Sequence, residues 1–147
     1  MMFWDASAII PLFIDGPQTG IVRKIAEGDS AIAAWWGSPV ECCSAFARLR
    51  REGSLKAGEE DRIRHLLSIL TGAWTEIEPG RDVRDTAERL LLAHPLRAAD
   101  SLQLAAAIIW AGRNTKDCPF VCLDQRLRAA ARSEGFTILP AAEISKL

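Results

Sequence analysis

A chain of 147 residues has the size of one domain, and its 49% hydrophobic and 25% charged residues are the mixture of a globular protein, which excludes disorder, collagen and low-complexity repeats. The net charge of -1 gives no bulk advertisement for nucleic acid, although 14 of the 18 basic residues are Arg. No run approaches the roughly 20 apolar residues of a membrane span, and Asp5 interrupts what would have to be a signal-peptide core, so a cytoplasmic protein is expected.

Met1 to Trp4 is a short apolar run closed by Asp5 and predicts a buried strand. Gln18 to Ala26 follows with helical spacing. The turn-prone Glu27-Gly28-Asp29-Ser30 then leads into a second strand, Ile32 to Trp36, closed by Gly37-Ser38-Pro39. Helices are expected over Val40 to Glu52 and Ala57 to Leu70; in the latter Ile63, Leu66, Leu67 and Leu70 recur at three- and four-residue steps. A third strand, Trp74 to Ile77, precedes helices over Asp82 to Ala93 and Arg97 to Arg113. Phe120 to Leu123 is the fourth strand, Arg126 to Glu134 a helix, Phe136 to Leu139 the fifth strand, and Pro140 to Leu147 a short final turn of helix.

Continuous apolar strands alternating with helices predict a parallel sheet covered on both faces. The expected fold is therefore α/β, a three-layer sandwich with a mostly parallel, about five-stranded sheet, in one domain spanning residues 1–147. Trp4, Trp35, Trp36, Trp74 and Trp110 all lie in apolar runs and are expected in the core. Trp36, at a strand end, is the candidate for stacking on a base.

Cys42 and Cys43 are adjacent, and three residues separate Cys118 from Cys122, so neither pair has a CxxC spacing. With only His65 and His94, a metal site has to be built mainly from carboxylate oxygen, which points to magnesium or manganese. In an open parallel sheet, ligands bind beyond the carboxyl ends of the strands. Asp5 and Asp124 end the first and fourth strands, Glu41 lies on the first turn of the helix after the second strand, and Asp100 stands at the start of the helix leading into the fourth. Taken singly, each has a structural explanation as a turn former, a helix cap or a partner of the helix dipole. Together they fall at one rim, and four carboxylates crowded there need a compensating cation. Mg2+ or Mn2+ held by Asp5, Glu41, Asp100 and Asp124 suits phosphodiester hydrolysis.

The segments DASAII, PVECCSAFARL, LRAADSLQLAAAI and FVCLDQRLRAAARSEGF resemble, in order and from end to end, the four acidic blocks of PIN-domain nucleases. The resemblance is greatest to the single-domain VapC-type toxins of prokaryotic toxin-antitoxin pairs. It implies a PIN-like fold and an endoribonuclease dependent on Mg2+ or Mn2+, with Asp5, Glu41, Asp100 and Asp124 as metal-binding and catalytic acids. It also implies a homodimer and a cognate antitoxin. Two positions depart from the pattern: Cys122 stands where many relatives carry Thr or Ser, and Ser101 where Ala is common.

Ser7 is placed to donate to a carboxylate. Arg48 shares a helical stripe with Glu41, and Arg97, Arg126 and Arg128 flank the acids, so these four are candidates for RNA phosphate contact. For Arg48 an ion pair with Glu52 is the competing reading. Two other functions compete with this reading. One is a catalytically silent fold kept for RNA or protein binding. The other is a phosphoacceptor signalling domain, which needs an acid pair after the first strand and a strand-end Lys near the fourth; the sequence supplies only Asp5 there, and its lysines are Lys24, Lys56, Lys116 and Lys146.

Overall fold

Five strands, β1 (Met2–Trp4), β2 (Ile32–Trp35), β3 (Thr75–Ile77), β4 (Pro119–Val121) and β5 (Thr137–Leu139), form one sheet in the order β3-β2-β1-β4-β5. Every pairing is parallel, with Met2 opposite Ile32, Trp4 opposite Val121, Trp35 opposite Ile77 and Val121 opposite Leu139. The coordinates are a computed structural model, and they describe residues 1–142. Strand order reverses between β1 and β4, so the crevice that binds ligands in such sheets opens at the ends of these two strands.

Seven helices are present among the described residues: α1 (Ala6–Phe13), α2 (Thr19–Gly28), α3 (Ser38–Arg51), α4 (Ala57–Ala73), α5 (Arg81–Ala93), α6 (Ala98–Trp110) and α7 (Gln125–Ser133). Alternate strand residues face opposite layers. Phe3, Ala33, Trp35, Phe120 and Ile138 pack under α5, α6 and α7. Trp4, Ile32, Ala34 and Val121 pack under α1 to α4, against Ile9, Val22, Phe46 and Leu67. Both faces are thus buried, which is why the strands read as unbroken apolar runs.

Six of the helices and all five strands fall where periodicity places them, with ends shifted by a few residues. Helix α1 does not. Its sequence ASAIIPLF is apolar almost throughout and holds Pro11, so it offers neither a polar face nor an uninterrupted run of helix formers. It forms because Asp5 caps it and because Ala6, Ala8 and Ile9 are buried against the sheet. The final turn expected over Pro140 to Leu147 falls largely outside the described residues, and residues 140–142 are not helical. No described helix is long and apolar enough to cross a membrane.

Trp4, Trp35 and Trp74 are core residues, and Trp110 is half-buried. Trp36 corrects the expectation: it lies one residue past the last ladder position of β2 and is 51% exposed. Arg128, read as a rim contact for phosphate, is also corrected. Its side chain is buried and donates to the backbone carbonyls of Cys122 (3.0 Å), Pro140 (2.9 Å) and Ala142 (3.3 Å). Two residues along a helix turn a side chain by about 200°, so Arg126 and Arg128 face opposite ways.

Candidate active site

Asp5 leaves β1 and caps α1, its Oδ2 accepting from the Ser7 backbone N–H at 3.1 Å. Asp124 follows β4 and caps α7, its Oδ1 accepting from the Leu127 N–H at 2.9 Å. Capping explains locally why an Asp stands at both strand ends. It engages one oxygen of each carboxylate. Because β1 and β4 are neighbours, with the Asp5 N–H donating to Val121 O at 2.9 Å, the two acids come to the same end of the sheet.

Glu41 lies on the first turn of α3 and Asp100 on the first turn of α6. All four acids, together with Ser7 and Arg48, line one cavity of about 190 Å³. A neighbouring cavity of about 380 Å³ shares Asp100 and Asp124 and is flanked by Arg97 and Arg126. The structure therefore brings together every acid singled out by sequence, with Ser7 and three of the four arginines. Arg48 lines the cleft and makes no ion pair with Glu52.

Sequence reasoning missed Gln103. It is fully buried, and its Nε2 donates to Glu41 Oε2 at 2.6 Å and to Ser38 Oγ at 2.9 Å, while its Oε1 is buried without a partner among the described residues. The available signal was a lone amide in the apolar stretch of α6, three residues and hence one helical turn beyond Asp100. At Cys122, one of the two departures from the resembled pattern, the thiol donates to Asp5 Oδ2 at 3.6 Å. Ser7 Oγ accepts from the Leu123 N–H at 2.9 Å, which ties the loop after β4 to α1.

Burial pushes the Asp5 carboxyl up to about 6, against the hydrogen bonds from Ser7 and with the charge of Asp100 adding to the rise. Burial likewise pushes Glu41 up to about 7, with Asp5 and Asp100 contributing and the Gln103 hydrogen bond opposing. Asp100 is raised by burial and then by Asp124, with Arg97 and Arg126 working against it. Each of these carboxylates is thus held in a place that disfavours its charge.

A stability prediction follows from the sign. A carboxyl whose folded pKa lies above its unfolded value binds its proton more tightly in the folded state, so the stabilisation is present at low pH and is lost as pH rises through the folded pKa. For Asp5 and Glu41 that loss runs from about pH 4 to beyond pH 7. The protein in chelator is expected to melt several degrees lower at pH 8 than at pH 5, each kcal/mol being worth roughly 2–4 °C at this size. Added Mn2+ should restore more at pH 8 than at pH 5. Equal melting temperatures at the two pH values would argue against charge crowding in the cleft.

The donor set fits a hard divalent cation. The cleft offers carboxylate oxygen, no imidazole lines it, and three of its acids are raised by burial and mutual repulsion that a cation relieves. Among the described residues no group of three or more carboxylate, imidazole or thiol donors is arranged to hold a metal ion as it stands. Magnesium does not require one, because it commonly keeps several waters and takes only one or two protein carboxylates plus substrate phosphate.

No protein-family model matches the sequence, and no curated protein matches it. Solved structures do match the fold. A toxin-antitoxin complex from Klebsiella pneumoniae superposes with a TM-score of 0.62 at 17% identity, over 98% of this chain and 100% of that one. The sarcin-ricin loop cleaving toxin VapC20 of Mycobacterium tuberculosis gives 0.65 at 14% identity over 93% and 97%. FitAcB of Neisseria gonorrhoeae gives 0.66 at 14% identity over 96% and 98%. With its all-parallel five-stranded sheet, its end-to-end match to these structures and its acids at the switch point, the chain has a PIN-like fold, that of VapC-type toxin structures.

Proposed function

We propose that the chain is an endoribonuclease dependent on Mg2+ or Mn2+, the toxin of a VapC-type toxin-antitoxin pair, with residues 1–147 as its nuclease domain. The observation that carries this reading is the meeting of Asp5, Glu41, Asp100 and Asp124, drawn from four separate parts of the chain, around one cleft at the switch point of the sheet. These four acids would hold the ion. When bound, a divalent ion makes water easier to deprotonate and neutralises the charge that develops on the phosphodiester. Arg97 and Arg126, which line the cavity beside the cleft, would grip a phosphate and oppose that charge. Gln103 fixes the orientation of Glu41, and Ser7 and Cys122 fix that of Asp5.

An antitoxin partner belongs to the same reading, supported by the structural neighbour described as a toxin-antitoxin complex. A homodimer and a cytoplasmic location belong to it as well. Purified protein incubated with total RNA is expected to cut it when Mg2+ or Mn2+ is present and to leave it whole in chelator. RNA that survives under every metal condition would overturn the proposal.

A silent RNA- or protein-binding fold is the second reading, and the lack of a ready-made donor cluster among the described residues is what favours it. It predicts a melting temperature indifferent to divalent ions and acid variants that bind RNA as the wild type does.

A further inference from the structure

Trp36 is the one tryptophan with about half its surface in water, and its place is fixed. Its N–H donates to Ile77 O at 3.0 Å, tying the end of β2 to β3. Its ring meets that of Trp35 edge-on, with centroids 6.3 Å apart and planes at 70°. Trp35 in turn lies against Gly37, where a Cβ would fall 2.5 Å from the indole Nε1, so only glycine leaves room for this pair.

Trp35 also walls a cavity of about 580 Å³ with Pro79, Val83, Leu102, Arg81 and Arg84. Among the described residues, two guanidinium groups line it and no carboxylate does. Neither Arg81 nor Arg84 has a side-chain partner among the described residues, whereas Arg50, Arg64 and Arg89 are all paired with glutamates. The cavity opens at the carboxyl ends of β2 and β3, on the rim that carries the acids. Trp36 and Glu41 are separated only by Gly37 and the first turn of α3, a helical rise of roughly 5 Å.

An exposed aromatic ring set edge-on against the indole that walls an arginine-lined cavity offers the chemistry that grips single-stranded nucleic acid, the base stacking on the ring and the backbone drawn to the cations. We infer that Trp36 and the Trp35–Arg81–Arg84 cavity form a subsite for a nucleotide flanking the scissile bond in single-stranded RNA, its base on Trp36 and its phosphate at Arg81 and Arg84. This rests on the ribonuclease reading above. The lining favours RNA over a protein partner because its two charged groups are both cationic and match a polyanion.

The test is steady-state cleavage, with Mg2+, of a single-stranded RNA of roughly ten nucleotides by the full chain and its variants. Trp36→Ala is expected to raise KM about tenfold or more with a smaller change in kcat, the effect of removing one stacked base. Trp36→Phe should restore most of the loss. Arg81→Gln with Arg84→Gln should lower the dependence of log KM on log salt by about 0.7 per residue. If the wild type cleaves while all three variants keep its KM and salt dependence, the subsite is wrong and the ribonuclease reading stands. If the wild type neither binds nor cleaves RNA, both fall. If Trp36→Ala converts a dimer to monomers in sedimentation, the ring belongs to an interface between copies, and the subsite is overturned.

Discussion

Asp5→Asn is expected to reduce RNA cleavage on the order of a thousandfold and, in chelator at pH 8, to raise the melting temperature. The two effects have one cause. Asp5 is 3% exposed, and burial pushes its carboxyl up to about 6, so its ionised form is held at the expense of stability. A rise from the ordinary carboxyl value of 3.8 to about 6 corresponds to roughly 3 kcal/mol. Asn keeps an oxygen for the Ser7 N–H, so the cap of α1 survives while the buried charge goes. A gain approaching 5–10 °C is the upper expectation at this chain length. The loss of activity is the several kcal/mol that charge stabilisation by a held cation supplies to the transition state. Thermal melts and cleavage rates on the same preparations check both. A variant that is less stable yet equally active would assign Asp5 to the cap of α1 alone.

Arg128→Ala should destabilise the protein by about 3 kcal/mol or more, because it strips a charged donor from the buried carbonyl of Cys122 and from that of Pro140. Cys122 lies two residues before Asp124, so the loop that aims this acid loosens at the same time. Arg126→Ala, by contrast, is expected to leave stability within about 0.5 kcal/mol and to weaken RNA binding, as a surface substitution beside the cleft should. Urea titration of the two variants separates them. If Arg128→Ala unfolded like the wild type and lost only RNA affinity, Arg128 would be a rim residue after all.

Much of the site was legible because its acids sit where backbone geometry exposes them to sequence reasoning. Asp5 and Asp124 close apolar runs, and a residue that closes a parallel strand lies at the ligand-binding edge whatever the rest of the chain does. Glu41 and Asp100 open helices that start at that same edge. Gln103 was hidden because its role depends on packing across α3 and α6, which periodicity along one helix does not report.

The arginines divide in the same way. Arg97 and Arg126 are close in sequence to acids and remain close in space, while Arg128 has equal proximity in sequence but the opposite helix face. Trp36 looked like core because the apolar run of β2 continues through it, yet the ladder stops at Trp35 and the following residue turns outward. Helix α1 was invisible for a related reason. A segment buried on most sides has no amphipathic signature, and its Pro argues locally against the helix that tertiary packing imposes.

Anomalous scattering from crystals soaked in Mn2+ would locate the cation without reference to any substrate. The expected result is a peak in the cleft between Asp5, Glu41, Asp100 and Asp124 that disappears in Asp5→Asn. Well-ordered crystals with an empty cleft, or with manganese bound only elsewhere, would contradict the assembly of these four carboxylates into a metal site.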